Sequence, residues 1–153
     1  MSDILRMLLL TFLVSACGGG QDAGPAHDPE AELRAWVATG EARAEEKDRS
    51  GLLEMIAESY ADGRGNDRKK IGDMLRVFFL RQHTVALLTN IDEINLMGDT
   101  AAQLVVTVGM AGTGDSALGV RANAYNFEFE LEKPGDDWLL IGARWGRVGR
   151  DMR

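Results

Sequence analysis

Few residues in this 153-residue chain carry reactive chemistry of their own. There is one cysteine, Cys17, and there are two histidines, His27 and His83. His83 is the histidine within the folded region, where an imidazole can act as a general base or a pocket donor. Its place between a helical and a strand pattern also fits an ordinary boundary side chain. One thiol and two imidazoles are poor material for a zinc site. No spaced Asp/Glu pattern marks a carboxylate metal site, so no metal is expected. No cofactor is expected either. The glycines at 63–65 and 112–114 do not precede helices with phosphate-loop spacing. Ser116 lies in no nucleophile elbow. Tyr60 and Tyr125 are better placed, because a buried tyrosine hydroxyl needs a partner. Together with His83 they are the candidate polar contacts of a pocket. Catalytic residues cannot be assigned.

Cys17 has a context of its own. Met7 to Val14 is an apolar run, too short for a bilayer span of roughly 20 residues and right for a signal-peptide core of about 7–15. Ser15 and Ala16 are small, and Gly18, Gly19 and Gly20 follow the cysteine. Val14-Ser15-Ala16-Cys17 resembles the lipobox of bacterial lipoproteins. The resemblance implies a diacylated thiol, cleavage before Cys17 and an acylated new terminus. Gly18, where the family's inner-membrane retention signal is an aspartate, implies the outer membrane, with the domain facing the periplasm. The expected organisation is a signal peptide over 1–16, a lipidated cysteine and linker over 17–27, a domain over 28–149 and a basic tail over 150–153.

The formal net charge of −7 argues against general affinity for nucleic acid or an anionic membrane surface, both of which reward a basic protein. Asp28-Pro29-Glu30 is a helix start: a capping acceptor, proline at the first position, then acid. Leu33, Trp36, Val37 and Ala44 share its apolar face, and Glu41, Glu45 and Glu46 read as solvated. Ser50 is the expected cap of a second helix with Leu52, Leu53, Ile56, Ala57 and Tyr60 on one face. Asn66 or Asp67 can cap a third, with Ile71, Met74, Leu75, Phe78 and Phe79 on one side. From about His83 the period becomes two. A parity change at Asp92-Glu93 predicts a bulge, and another at Ala124/Tyr125 predicts a second, in the third strand. Turns are expected at Gly98-Asp99, Ala111 to Ser116 and Pro134 to Asp137, with a last strand from Trp138 to about Arg147.

The class is therefore α+β: three N-terminal helices on a curved, four-stranded, mostly antiparallel sheet. With the "RSGLLEMIAESYAD" and "DDWLLIGARWGRV" segments, this order resembles the NTF2-like superfamily, including SnoaL-like and ketosteroid-isomerase-like proteins. The resemblance implies a cone-shaped pocket and frequent dimers through the outer face of the sheet. It also implies an aspartate base near Asp62, which by its own loop reads as a solvated turn residue. Arg121, Asn123 and Asn126 stand where an oxyanion-stabilising acid would be expected. The expected function is binding of a small apolar or amphipathic ligand, or of an envelope protein, without catalysis. The alternative is a SnoaL-like enzyme, of isomerase or hydrolase type, that uses pocket polar groups for proton transfer. A homodimer is expected, because "LVVTV" and "WLLI" are apolar on both parities. The basic stretch from Arg64 to Arg81 fits a solvated helix face, or a surface for lipid head groups or an acidic partner.

Overall fold

The computed structural model describes residues 27–114 and 120–150. Cys17, the preceding apolar run and Ser116 lie outside them. The order is α1 (Pro29–Glu45), α2 (Arg49–Glu54), α3 (Arg68–Arg81), β1 (Gln82–Leu96), β2 (Ala101–Gly114), β3 (Val120–Glu132) and β4 (Leu139–Arg147). The strands form one antiparallel sheet in the order β1-β2-β3-β4. No helix among the described residues is long and apolar enough to cross a membrane.

Each helix begins on an aspartate. Asp28 accepts from the backbone N–H of Glu30 and Ala31 at 3.1 and 3.2 Å, and Asp67 accepts from Lys70 at 2.7 Å. Such caps satisfy donors that the first turn leaves open. The cap of α2 is Asp48, not Ser50: Lys47 turns the chain at φ 57°, and Asp48 accepts from Gly51 at 2.9 Å. A Cβ on Gly51 would meet that carboxylate at 2.1 Å, so the turn requires glycine. Helix α2 also stops earlier than its apolar spacing predicts. From Met55 the backbone turns to β4, with Leu140 N–H donating to Met55 and Ala57 N–H to Leu140. Ala61 and Gly63 N–H groups donate to Ile141 and Ala143. Tyr60 is buried all the same, on this segment and not on a helix face.

The bulge predicted near Asp92 is present: Ile91 pairs with Val106 and Glu93 with Val105, so Asp92 is the extra residue. The second predicted bulge is misplaced. β3 runs unbroken against β2 from Val120 to Glu132, and Ala124 simply takes an outward position opposite Gly109. The break falls in β4, where Ile141 is extra between Leu140 and Gly142. β2 also continues to Gly114, through four residues expected in a turn.

Concave-face residues and α1 make the core. Leu33, Leu104, Leu131 and Val106 are its most deeply buried large side chains. The outward face carries polar groups at its centre. Glu128 accepts from Gln103 and pairs with Arg144. The Thr107 hydroxyl lies 2.6 Å from Asp92 and 3.1 Å from Asn126. On the free side of β1, the Glu45 carboxylate accepts from Leu87 N–H at 2.8 Å. The Lys47 ammonium donates to the carbonyls of Gln82 and His83.

Gly40, on the inner side of α1, offers a first test. A Cβ there would sit 3.5 Å from the Met55 methyl, an ordinary contact. Gly40→Ala is therefore expected to raise stability by about 0.5–1 kcal/mol, the helix cost of glycine. Urea denaturation checks this.

Candidate functional site

The concave side is filled at one end and hollow at the other. Leu33, Ala102, Leu131 and Trp138 pack the filled end. Toward the other end lies a cavity of about 420 Å³, within the usual range for small-molecule sites. Helix α1 contributes Trp36, Val37, Gly40, Glu41 and Ala44, one stripe at helical spacing. All five apolar residues predicted for the inner side of α3 line it: Ile71, Met74, Leu75, Phe78 and Phe79. The sheet adds Val85, Leu87 and Thr89 from β1, and Phe127, Phe129 and Trp145 from β3 and β4. These rings stack along the wall and leave the space open. Phe127 lies 5.3 Å from Phe129 and 6.3 Å from Trp145, centroid to centroid. Arg64 covers the Trp145 ring at 4.4 Å.

Polar groups on this wall are few. The Trp36 indole sits edge-on to Phe129 at 5.9 Å, and its N–H is buried with no hydrogen-bond partner among the described residues. A buried donor of this kind is costly unless something accepts from it. The Tyr60 hydroxyl makes no hydrogen bond among the described residues; burial, reinforced by the charge of Asp62, pushes its pKa well above the ordinary tyrosine value. It remains a neutral phenol, able both to donate and to accept. The third group is a pair: the Thr89 hydroxyl donates to the Glu41 carboxylate, linking β1 to α1 across the cavity wall.

Of the three predicted pocket contacts, Tyr60 lines the cavity and His83 and Tyr125 do not. His83 is exposed where α3 passes into β1. Tyr125 shares the concave parity but packs beside Phe127, with centroids 6.4 Å apart, beyond the cavity wall. Glu41 is half-buried rather than solvated. The signal was its position four residues after Val37, on the apolar stripe. Thr89 likewise sits in the inward parity of Val85, Leu87 and Ile91.

Asp62 is also corrected: it is 9% exposed, not a solvated turn residue. It faces its own loop instead of the cavity. Its carboxylate accepts from the backbone N–H groups of Arg64 and Asn66 and from the Asn66 amide, each at 2.8 Å. Burial acts to raise its pKa, but these bonds and the nearby Arg64 charge outweigh burial and hold it below the ordinary value. With its lone pairs committed, Asp62 organises the loop and is poorly placed as a base. Asp62→Ala is expected to cost about 2 kcal/mol at pH 7. Because the folded-state pKa is depressed, this stabilisation is present above the unfolded value of about 3.9. It disappears as pH falls through the folded value. Urea curves for both proteins at pH 7 should differ, and at pH 3 the gap should have narrowed.

No group of three or more histidine, cysteine, aspartate or glutamate side chains among the described residues is arranged to hold a metal ion. No protein-family model matches the chain, and no curated protein matches it by sequence. Its likeness to solved structures is extensive and lies in the fold. A protein provisionally assigned as a scytalone dehydratase, from Novosphingobium aromaticivorans, is 11% identical with a TM-score of 0.72, over 80% of this chain and 94% of that one. A ketosteroid isomerase-like protein from Erwinia carotovora atroseptica is 12% identical with a TM-score of 0.64, over 78% and 96%. A hexachlorocyclohexane dehydrochlorinase from Novosphingobium barchaimii is 11% identical with a TM-score of 0.66, over 81% and 89%. The fold is the NTF2-like cone: helices packed on an open, four-stranded antiparallel sheet.

Proposed function

We propose that this NTF2-like domain is a lipid-anchored binding protein of the bacterial envelope. It holds one small, largely apolar ligand that carries a hydrogen-bond acceptor. The observation that carries the reading is the cavity of about 420 Å³, walled by apolar side chains that include the Trp36 indole, whose buried N–H has no partner among the described residues. Burial of an apolar ligand supplies affinity, and one or two polar contacts set orientation. Two proteins of the same fold are named for ketosteroid and hexachlorocyclohexane, both predominantly apolar molecules, which supports the ligand class. The anchor rests on the Val14 to Cys17 segment and its glycines. The Cys17→Ser chain, expressed with labelled palmitate, should lose the label that the parent chain carries.

The ligand reading is tested by titrating Nile red, an apolar dye with a carbonyl acceptor, and diphenylhexatriene, which has none. Trp36→Phe is expected to weaken Nile red about three- to tenfold, the worth of one hydrogen bond. Diphenylhexatriene should be unaffected. Equal loss for both dyes would remove Trp36 as a donor. Absence of binding by either would reject the ligand reading.

The Glu41 carboxylate on the cavity wall favours a second reading, proton abstraction from the bound molecule. Native mass spectrometry of protein taken from its own membrane separates the two. A binder releases its ligand unchanged. An enzyme converts the substrate, and Glu41→Gln stops the conversion.

A further inference from the structure

Helix α3 has two working faces. One lines the cavity. The other is exposed and, unusually for an acidic chain, both apolar and basic. Met74, Val77 and Leu80 are 42%, 45% and 77% exposed, and Phe78, at 37%, spans both faces. The helix carries Arg68, Lys69, Lys70, Arg76 and Arg81 against a single acid, Asp73. Arg68 is committed, its guanidinium bonded to Glu58 and to the Leu53 carbonyl. Lys69, Lys70, Arg76 and Arg81 form no ion pair among the described residues. A shallow groove on this side is lined by Lys70, Asp73, Met74, Val77, Phe78 and Arg81.

We propose that the exposed face of α3 docks on an anionic phospholipid surface, with Met74, Val77 and Leu80 at the acyl boundary and Lys69, Lys70, Arg76 and Arg81 among the head groups. A helix lying in the interface needs this mixture, apolar side chains with cations beside them. The remainder of the chain is acidic and is repelled by such a surface, so the charge distribution selects both the lipid and the orientation. Exposed apolar side chains grouped beside cations on one helix mark an interaction surface, and its charge matches lipid phosphate. Because Met74 and Phe78 also line the cavity, docking places the cavity wall against the bilayer. An apolar ligand then exchanges with the membrane without crossing water.

The test uses the full-length chain with Cys17→Ser, so that an introduced thiol is unique. A bimane fluorophore is attached through Leu80→Cys or, as a control on the β3–β4 turn, Asp136→Cys. Each protein is added to vesicles of phosphatidylethanolamine and phosphatidylglycerol with brominated acyl chains. The expected result is at least twofold quenching at position 80 and none at position 136. The quenching should disappear in 0.5 M salt and in the Lys70→Glu/Arg81→Glu chain, whose substitutions are exposed and leave the core intact. No quenching at position 80, equal quenching at both positions, or quenching indifferent to charge reversal would overturn the proposal. A position-80 response to polyglutamate in solution, with none to vesicles, would also overturn it and assign the face to an acidic protein. No cavity ligand is needed, so failure here leaves the ligand reading standing.

Discussion

Leu33→Ala is expected to cost about 3–5 kcal/mol of folding stability, the upper range for a buried leucine truncation. Leu33 is fully buried and belongs to the filled end of the cone, with Ala102, Leu131 and Trp138. The hollow end lies on the other side of the core, so the walls of the filled end have little freedom to collapse. The neighbouring turn of α1 is held as well: Glu32 accepts from Lys133 at 2.6 Å and from the Trp138 indole at 2.9 Å. Removing three carbons' worth of contacts there leaves a void that this framework keeps open. A domain of this size has about 5–15 kcal/mol in total, so the variant should be close to unfolding at ambient temperature. Urea denaturation reads the loss directly. A cost below about 1 kcal/mol would mean that the filled end repacks freely, contrary to the burial seen there.

Ala44→Trp is expected to abolish most ligand binding while leaving the fold in place. Ala44 is half-buried on the inner stripe of α1 and borders the cavity without belonging to the packed cluster. An indole projecting from this position enters space that an apolar ligand would otherwise fill. Nile red and diphenylhexatriene should both bind at least about tenfold more weakly, a loss of some 1.4 kcal/mol or more. This differs from Trp36→Phe, which is expected to weaken only the dye with an acceptor. Two variants with different dye selectivity separate filling the cavity from removing a donor. If Ala44→Trp binds both dyes as the parent does, the dyes lie outside the cavity.

Much of the architecture could be read because burial imposes a period. Leu33, Trp36 and Val37 follow the helical spacing, and so do all five inner residues of α3. The bulge at Asp92 was legible because it shifts the inward set from Val85, Leu87 and Ile91 to Ile94 and Leu96. Features made by backbone pairing were not legible in this way. The segment after Glu54 hydrogen-bonds to β4 through main-chain groups, which leave no mark on side-chain periodicity. Ala124 broke the pattern of β3 because a small side chain is tolerated on either face. At the site, the residue type of Glu41 points to solvent while its spacing, on the apolar stripe, points inside, and the spacing prevails. His83 and Tyr125 have the right chemistry for pocket contacts, but their positions lie outside the cavity wall.

The main-chain bonds between residues 55–63 and β4 have a consequence for how copies of this protein coexist. A sheet of four strands has two edges, and an open edge recruits another chain by strand addition. Here one edge is occupied from Leu140 to Ala143 by the chain's own 55–63 segment. The other is interrupted where Glu45 takes the Leu87 donor and Lys47 takes the Gln82 and His83 acceptors. Side-by-side fusion of two sheets would first have to strip these groups away. High local concentration, which the proposed lipid anchor would bring, is the condition under which unguarded edges aggregate. With both edges partly occupied from within, crowded copies have a shorter template for joining their sheets.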